Sequence, residues 1–113
     1  MKEIVLGARQ QEAIKLNLSI RDLAILDYLN RCHMSTRRGH IERNSFIYTH
    51  IDYNLVSCDL PIYEFGEIEY CDIINKLIKQ GIIEKEVYRD TNYYSITEPI
   101  YDVLYMQPDE DRY

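Results

Sequence analysis

Apolar residues recur along this chain in two rhythms, every third or fourth position and every second, and the changes of rhythm mark its elements. Ala13, Ile14 and Leu16 stand among polar neighbours and predict a short amphipathic helix over Ala8–Leu16, ended by Asn17. Ser19 occupies an N-cap position with Asp22 three residues on, the spacing of a capping box. Ile20, Leu23, Ala24, Leu26 and Leu29 follow at helical spacing, so a main core helix runs to about Cys32. The polar stretch Arg31–Asn44 breaks the period and is expected to be a loop.

The β-branched and aromatic run Phe46–Ile51 suits a short strand. Asp52 can cap a second helix over Tyr53–Cys58, which Pro61 closes because the residue before proline avoids the helical region. A third helix is expected from about Gly66 to Gln80, with Gly81 as a left-handed cap. Its inward stripe reads as Cys71, Ile74, Leu77 and Ile78, with Tyr70 and Ile73 at the margins. Ile82–Tyr88 and Tyr93–Thr97 read as a hairpin around the turn Arg89–Asn92. Pro99 opens a last helix through Met106, and the charged tail 107–113 is expected to fray. This order predicts an α+β fold, a winged helix-turn-helix. A three-helix core carries a β-hairpin wing, with short helices at either end, in one domain spanning 1–113.

Charge changes the picture at the third helix. In a winged helix this element enters the DNA major groove, and a duplex carries about one negative charge per 1.7 Å. Here Glu64, Glu67, Glu69 and Asp72 lead it, with no Lys or Arg before Lys76. Acids at a helix start and lysines at its end match the macrodipole, and Asp72–Lys76 has i, i+4 spacing, so a stable solvated helix would look the same. Yet Glu84, Glu86 and Asp90 continue the acidity into the wing, with Tyr93 and other tyrosines interleaved. Up to Ser45 there are eight Lys/Arg against five Asp/Glu, and from Phe46 on five against fourteen. The net charge of −6 therefore divides into +3 and −9. Such asymmetry speaks of partners rather than of fold.

Other chemistry is sparse. Cys32, Cys58 and Cys71 have no paired spacing and read as reduced, buried thiols rather than metal ligands. No P-loop, nucleophile elbow, zinc-helix or dinucleotide motif occurs, which points away from an enzyme and from any cofactor or metal. Neither a membrane-length apolar run nor a signal peptide is visible, so a cytosolic chain in a bacterial cell is expected. Among the eleven tyrosines, Tyr28, Tyr48, Tyr53, Tyr101 and Tyr105 suit the core with their hydroxyls reaching solvent. Tyr93 and Tyr94 must face opposite sides of their strand.

The segments RQQEAIKLNLSIRDLAILDYL, FIYTHIDYNLVSCDLPI, NKLIKQGIIEKEV and YYSIT together resemble the N-terminal winged-helix domain of phage replisome organisers. The resemblance spans roughly residues 8–105 and implies a DNA-handling scaffold of phage or mobile-element origin. In those relatives the segment matching Phe65–Ile73 is rich in Lys and Arg, whereas here it reads FGEIEYCDI. Two functions follow as expectations. In the first, Glu64, Glu67, Glu69, Asp72, Glu84, Glu86, Asp90 and Tyr93 form one acidic face for the basic surface of a nucleic-acid-binding protein. A DNA mimic or anti-CRISPR protein acts in this way. In the second, Arg37, Arg38, His40 and Arg43 grip DNA from the 31–43 loop, as in a replication or transcription factor. A homodimer through the third helix is a further option.

Overall fold

The computed structural model describes residues 3–35 and 39–105. A small hairpin, β1 (Ile4–Val5) and β2 (Ala8–Arg9), leads into α1 (Gln10–Lys15) and α2 (Ile20–His33). β3 (His40–Arg43) and β4 (Phe46–His50) form a second hairpin, followed by α3 (Tyr53–Asp59) and a 3₁₀ turn at Pro61–Tyr63. α4 (Glu67–Lys79), the hairpin β5 (Ile83–Tyr88) and β6 (Thr91–Ile96), and α5 (Glu98–Leu104) complete an α+β fold.

The helix ends follow the capping chemistry read from the sequence. The Ser19 Oγ accepts from the Asp22 N–H at 3.1 Å while the Ser19 N–H donates to Asp22 Oδ2 at 2.9 Å. Asp52 Oδ1 accepts from the Leu55 N–H at 2.8 Å at the start of α3. At the end of α4, Gly81 has φ +72° and donates to the Ile78 carbonyl, while the Ile82 N–H reaches the Leu77 carbonyl. That is a Schellman motif, and Leu77 and Ile82 are both buried beneath it.

The four-stranded sheet has the order β3-β4-β6-β5, all antiparallel, with Thr49 opposite Tyr94 and Tyr94 opposite Lys85. Alternation puts Thr49, Tyr94 and Ile83 on the inner face, where they are buried with Leu26, Val56, Leu77 and Leu104 of the helices. Tyr48, His50, Tyr93, Glu84 and Glu86 therefore project from the outer face. Arg43 and Tyr88 occupy diagonal corners, and the guanidinium lies 5.4 Å from the ring centroid. The native twist has thus curled the sheet over its outer face, which explains how Tyr48 is buried there.

Several expectations are corrected. Arg31–Asn44 is not one loop: Arg31–His33 end α2, and His40–Arg43 pair with β4. The first helix begins at Gln10 rather than Ala8, because Ala8 and Arg9 pair with Val5 and Ile4. Thr91 and Asn92 belong to β6, leaving a two-residue turn. α4 buries Tyr70, Ile73, Ile74 and Leu77, a stripe rotated from the expected one, so Cys71 is exposed. Cys58 is exposed too, and only Cys32 is a buried thiol. Ile20, 52% exposed, lies outside the core. Lys76 does not pair along its own helix with Asp72. Its Nζ crosses to Asp22 Oδ2 at 2.6 Å and to the Asn17 carbonyl at 3.0 Å. Of the core tyrosines, Tyr28 donates to Asp59 at 2.5 Å and Tyr48 to Glu84 at 2.8 Å, while the Tyr105 hydroxyl, like that of Tyr70, is buried without a partner among the described residues. Met106 and the tail lie outside the described residues.

Candidate functional site

The start of α4 is fastened to α2 by one arginine. Arg21 grips Glu69 with both arms of its guanidinium, at 2.5 and 2.8 Å, and Nη2 also donates to the Tyr63 carbonyl at 2.8 Å. The same guanidinium lies 4.5 Å from the Phe65 ring centroid, and Tyr63 stacks on Phe65 at 5.4 Å. This bidentate hydrogen bond holds the Glu69 carboxyl below the usual carboxylate range and raises Arg21. Glu69 is therefore a structural acid, half-buried between two helices.

Among the described residues, the remaining carboxylates of this region have no ion-pair or hydrogen-bond partner. Glu64, in a left-handed conformation after the 3₁₀ turn, and Glu67 and Asp72 on α4 are exposed. Helical spacing places Ile68 and Asp72 on the side of α4 away from the buried stripe, with Glu67 at its margin, while Cys71 and Asn75 turn toward the β5–β6 hairpin. Ile68 is 78% exposed, and Ile62 in the preceding 3₁₀ turn is 88% exposed. The outer side of α4 thus offers apolar groups among carboxylates, with its backbone fixed from behind by Arg21 and Lys76.

The eight residues expected to make one acidic face fall into three places. Glu64, Glu67, Glu69 and Asp72 belong to α4 and its approach. Glu84, Glu86 and Tyr93 lie on the outer face of the sheet, turned away from α4. There the Tyr48 hydroxyl donates to Glu84, and burial together with that carboxylate pushes the Tyr48 phenol up to about 12. Tyr93 is half-buried against His50, 5.7 Å between centroids, and Tyr94 is buried on the inner side as the alternation required. Asp90 stands exposed in the β5–β6 turn. The strand between helix and outer acids contributes Lys85 to the inner side instead.

The basic set fares differently. His40 Nε2 donates to the Ser35 carbonyl at 2.7 Å, leaving Nδ1 to accept from the Thr49 hydroxyl at 3.0 Å. His33 Nδ1 faces the same hydroxyl at 3.5 Å, and burial with His40 nearby lowers the His33 pKa. His40 thus joins α2 to β3 and β4. Arg43 rests on Tyr88, and Arg37 and Arg38 lie outside the described residues. Among the described residues no three His, Cys, Asp or Glu side chains gather as a metal site, and no helix is long and apolar enough to cross a membrane.

The exposed isoleucines are what the sequence reading missed. Their signal was present, since Ile68 is out of phase with the Tyr70, Ile73, Ile74 and Leu77 repeat and can only be exposed if that repeat is buried. No family model, curated protein or solved structure matches this chain.

Proposed function

We propose that this chain is a winged-helix domain that binds a protein, without catalysis, through the outer side of α4. Support for the scaffold comes from the sheet, where β6 lies between β4 and β5 as the third strand of a winged helix does, and α4 takes the place of the groove-reading helix. The same order of segments underlies the resemblance to replisome organisers. The observation that carries the function is Ile68, 78% exposed beside Glu67 and Asp72 on a helix face that no other element covers among the described residues. Solvated helices do not need an apolar residue there, and a phosphate backbone would be repelled by its neighbours.

The partner is a basic protein surface with an apolar recess for Ile68, of the kind that otherwise holds nucleic acid. Occupying that surface would interfere with a nucleic-acid-handling machine, as a DNA mimic or an anti-CRISPR protein does. Affinity capture from the native host, followed by titration of the purified captured protein, tests this. Ile68→Asp is expected to weaken binding by about 2 kcal/mol, roughly 30-fold, as at a central hot spot. Added duplex DNA should compete for the partner. Salt-sensitive binding of duplex DNA by this chain itself, unchanged by Glu67→Lys with Asp72→Lys, would overturn the reading in favour of a DNA-binding factor.

A further inference from the structure

β4 and β6 are neighbours in the middle of the sheet, yet their pairing stops short. The His50 N–H donates to the Gly39 carbonyl at 3.0 Å, so alternation turns the main-chain groups of Thr49 and Ile47 toward β6. The Thr97 N–H donates to the Ile82 carbonyl at 3.0 Å, which turns those of Tyr94 and Ile96 toward β4. Thr49 meets Tyr94, but the register ends there, and Ile47 is not paired with Ile96. The two strands part as a fork with main-chain donors and acceptors along both prongs. The Ser95 hydroxyl reaches the Ile96 carbonyl at a long 3.5 Å.

Beneath the fork, between the end of α2 and the start of α5, lies a groove of about 710 Å³. Its floor is Leu29 and Tyr94, both buried. One wall carries Phe46 and Ile47, 47% and 45% exposed, and the other carries half-buried Ile96 and Tyr101. Two carboxylates stand at the rim: Glu98 at the start of α5 and, past Ile47 in an adjoining depression, Glu42 of β3. Both are exposed and lack an ion-pair partner among the described residues. No described Lys or Arg lines either depression, and His33, which borders both, is held toward its neutral form by burial.

We propose that this groove takes an extended segment of a partner protein, its main chain bonding to Ile47 and Ile96, a bulky apolar side chain over Leu29 and Tyr94, and a Lys or Arg to either side for Glu42 and Glu98. An extended chain offers N–H and C=O groups in the row that the fork leaves open, with side chains at fixed spacing, which a compact ligand does not. Strand alternation sets the order as basic, any, apolar, any, basic, so that the three recognised side chains share one face. Carboxylates at both ends of the groove and no cation between them select the basic flanks. The groove shares no residue with the outer side of α4 and stands independently of the protein-binding reading there.

Amide chemical shifts of the labelled protein, followed during titration with the capped peptide Lys-Thr-Leu-Thr-Lys, test it. Saturable shifts are expected at Leu29, Ile47, Ile96 and Tyr101. N-methylation of the peptide's leucine should weaken binding about fivefold by removing a main-chain donor. Glu42→Lys with Glu98→Lys should weaken it about tenfold, and a peptide with Glu at both ends should then prefer the doubly substituted protein. A lack of saturable shifts at the fork overturns the proposal, as do shifts confined to α4, or N-methylation or charge reversal without effect. Shifts of Ile47 and Ile96 that grow with the concentration of the protein alone would assign the groove to a second copy and overturn it as well.

Discussion

Asp22 shows how closely a single side chain can be committed in this molecule. It closes the capping box of α2 and receives Lys76 from α4, although its side chain is only 4% exposed. Lys76→Ala leaves that carboxylate buried with its cap but without its cation, and should cost roughly 2 kcal/mol in urea unfolding, less than a fully buried pair because Lys76 is partly solvated. Tyr70→Phe should run the other way, leaving stability unchanged or raised by up to about 1 kcal/mol, since an unmatched hydroxyl is removed. His33 prefers its neutral form in the fold, so its contribution is complete above the ordinary histidine pKa of about 6.5 and declines as pH falls below it. Glu69, depressed by Arg21, contributes above the ordinary carboxylate pKa and loses its share at lower pH still, as the medium passes through its folded value. The urea midpoint should therefore fall on acidification in two stages, and His33→Gln should remove the first. Caps such as Ser19 and Asp52 were legible because their partners lie three residues away. The exposure of Cys71 was not, because two overlapping stripes share Ile74 and Leu77, and only the neighbours of α4 decide between them.

Hairpins were the least legible elements, and their turns explain why. Leu6 and Gly7, Asn44 and Ser45, and Arg89 and Asp90 all have positive φ between directly paired residues. Two positive φ values make a type I′ turn, whose usual sequence signal is Asn-Gly or Asp-Gly. Asn44–Ser45 and Arg89–Asp90 lack the glycine. With β3 also reading as polar HIER, nothing local announced a strand there. The left-handed residues carry strain that glycine would not. Ser45→Gly, which completes an Asn-Gly turn, should stabilise the protein by about 0.5–1 kcal/mol and raise the melting temperature by a few degrees in calorimetry. The two long helices, by contrast, rest on periodic runs, α2 opened by the Ser19 capping box and α4 closed at Gly81, and the bounds of all five were read to within a few residues.

At the scale of the whole molecule, charge is arranged by surfaces rather than by halves of the chain. The acids of α4 and those of the sheet's outer face sit on opposite sides of β5, a division that follows from strand alternation and needs the register to be known. If α4 alone meets the partner, Glu84→Lys with Glu86→Lys should leave partner affinity within about twofold, while Glu67→Lys with Asp72→Lys lowers it at least tenfold, as expected where like charges meet. Titration calorimetry at two salt concentrations distinguishes these outcomes. Equal losses from both pairs would mean that the partner wraps around the wing.

The strand order β3-β4-β6-β5 has a temporal side. β6 sits between β4 and β5 but is synthesised after every other described strand, so Thr49 waits for Tyr94 before that edge of β4 is paired. Until then the growing chain can complete α2 and the β3–β4 hairpin, both built from local contacts, while the inner face of β4 lacks its neighbour. Closing the sheet demands long-range pairing, which is the slow step in folding. During translation, β6 is the strand that locks the other three of its sheet in place, and the sheet is most open to aggregation and proteolysis just before it arrives.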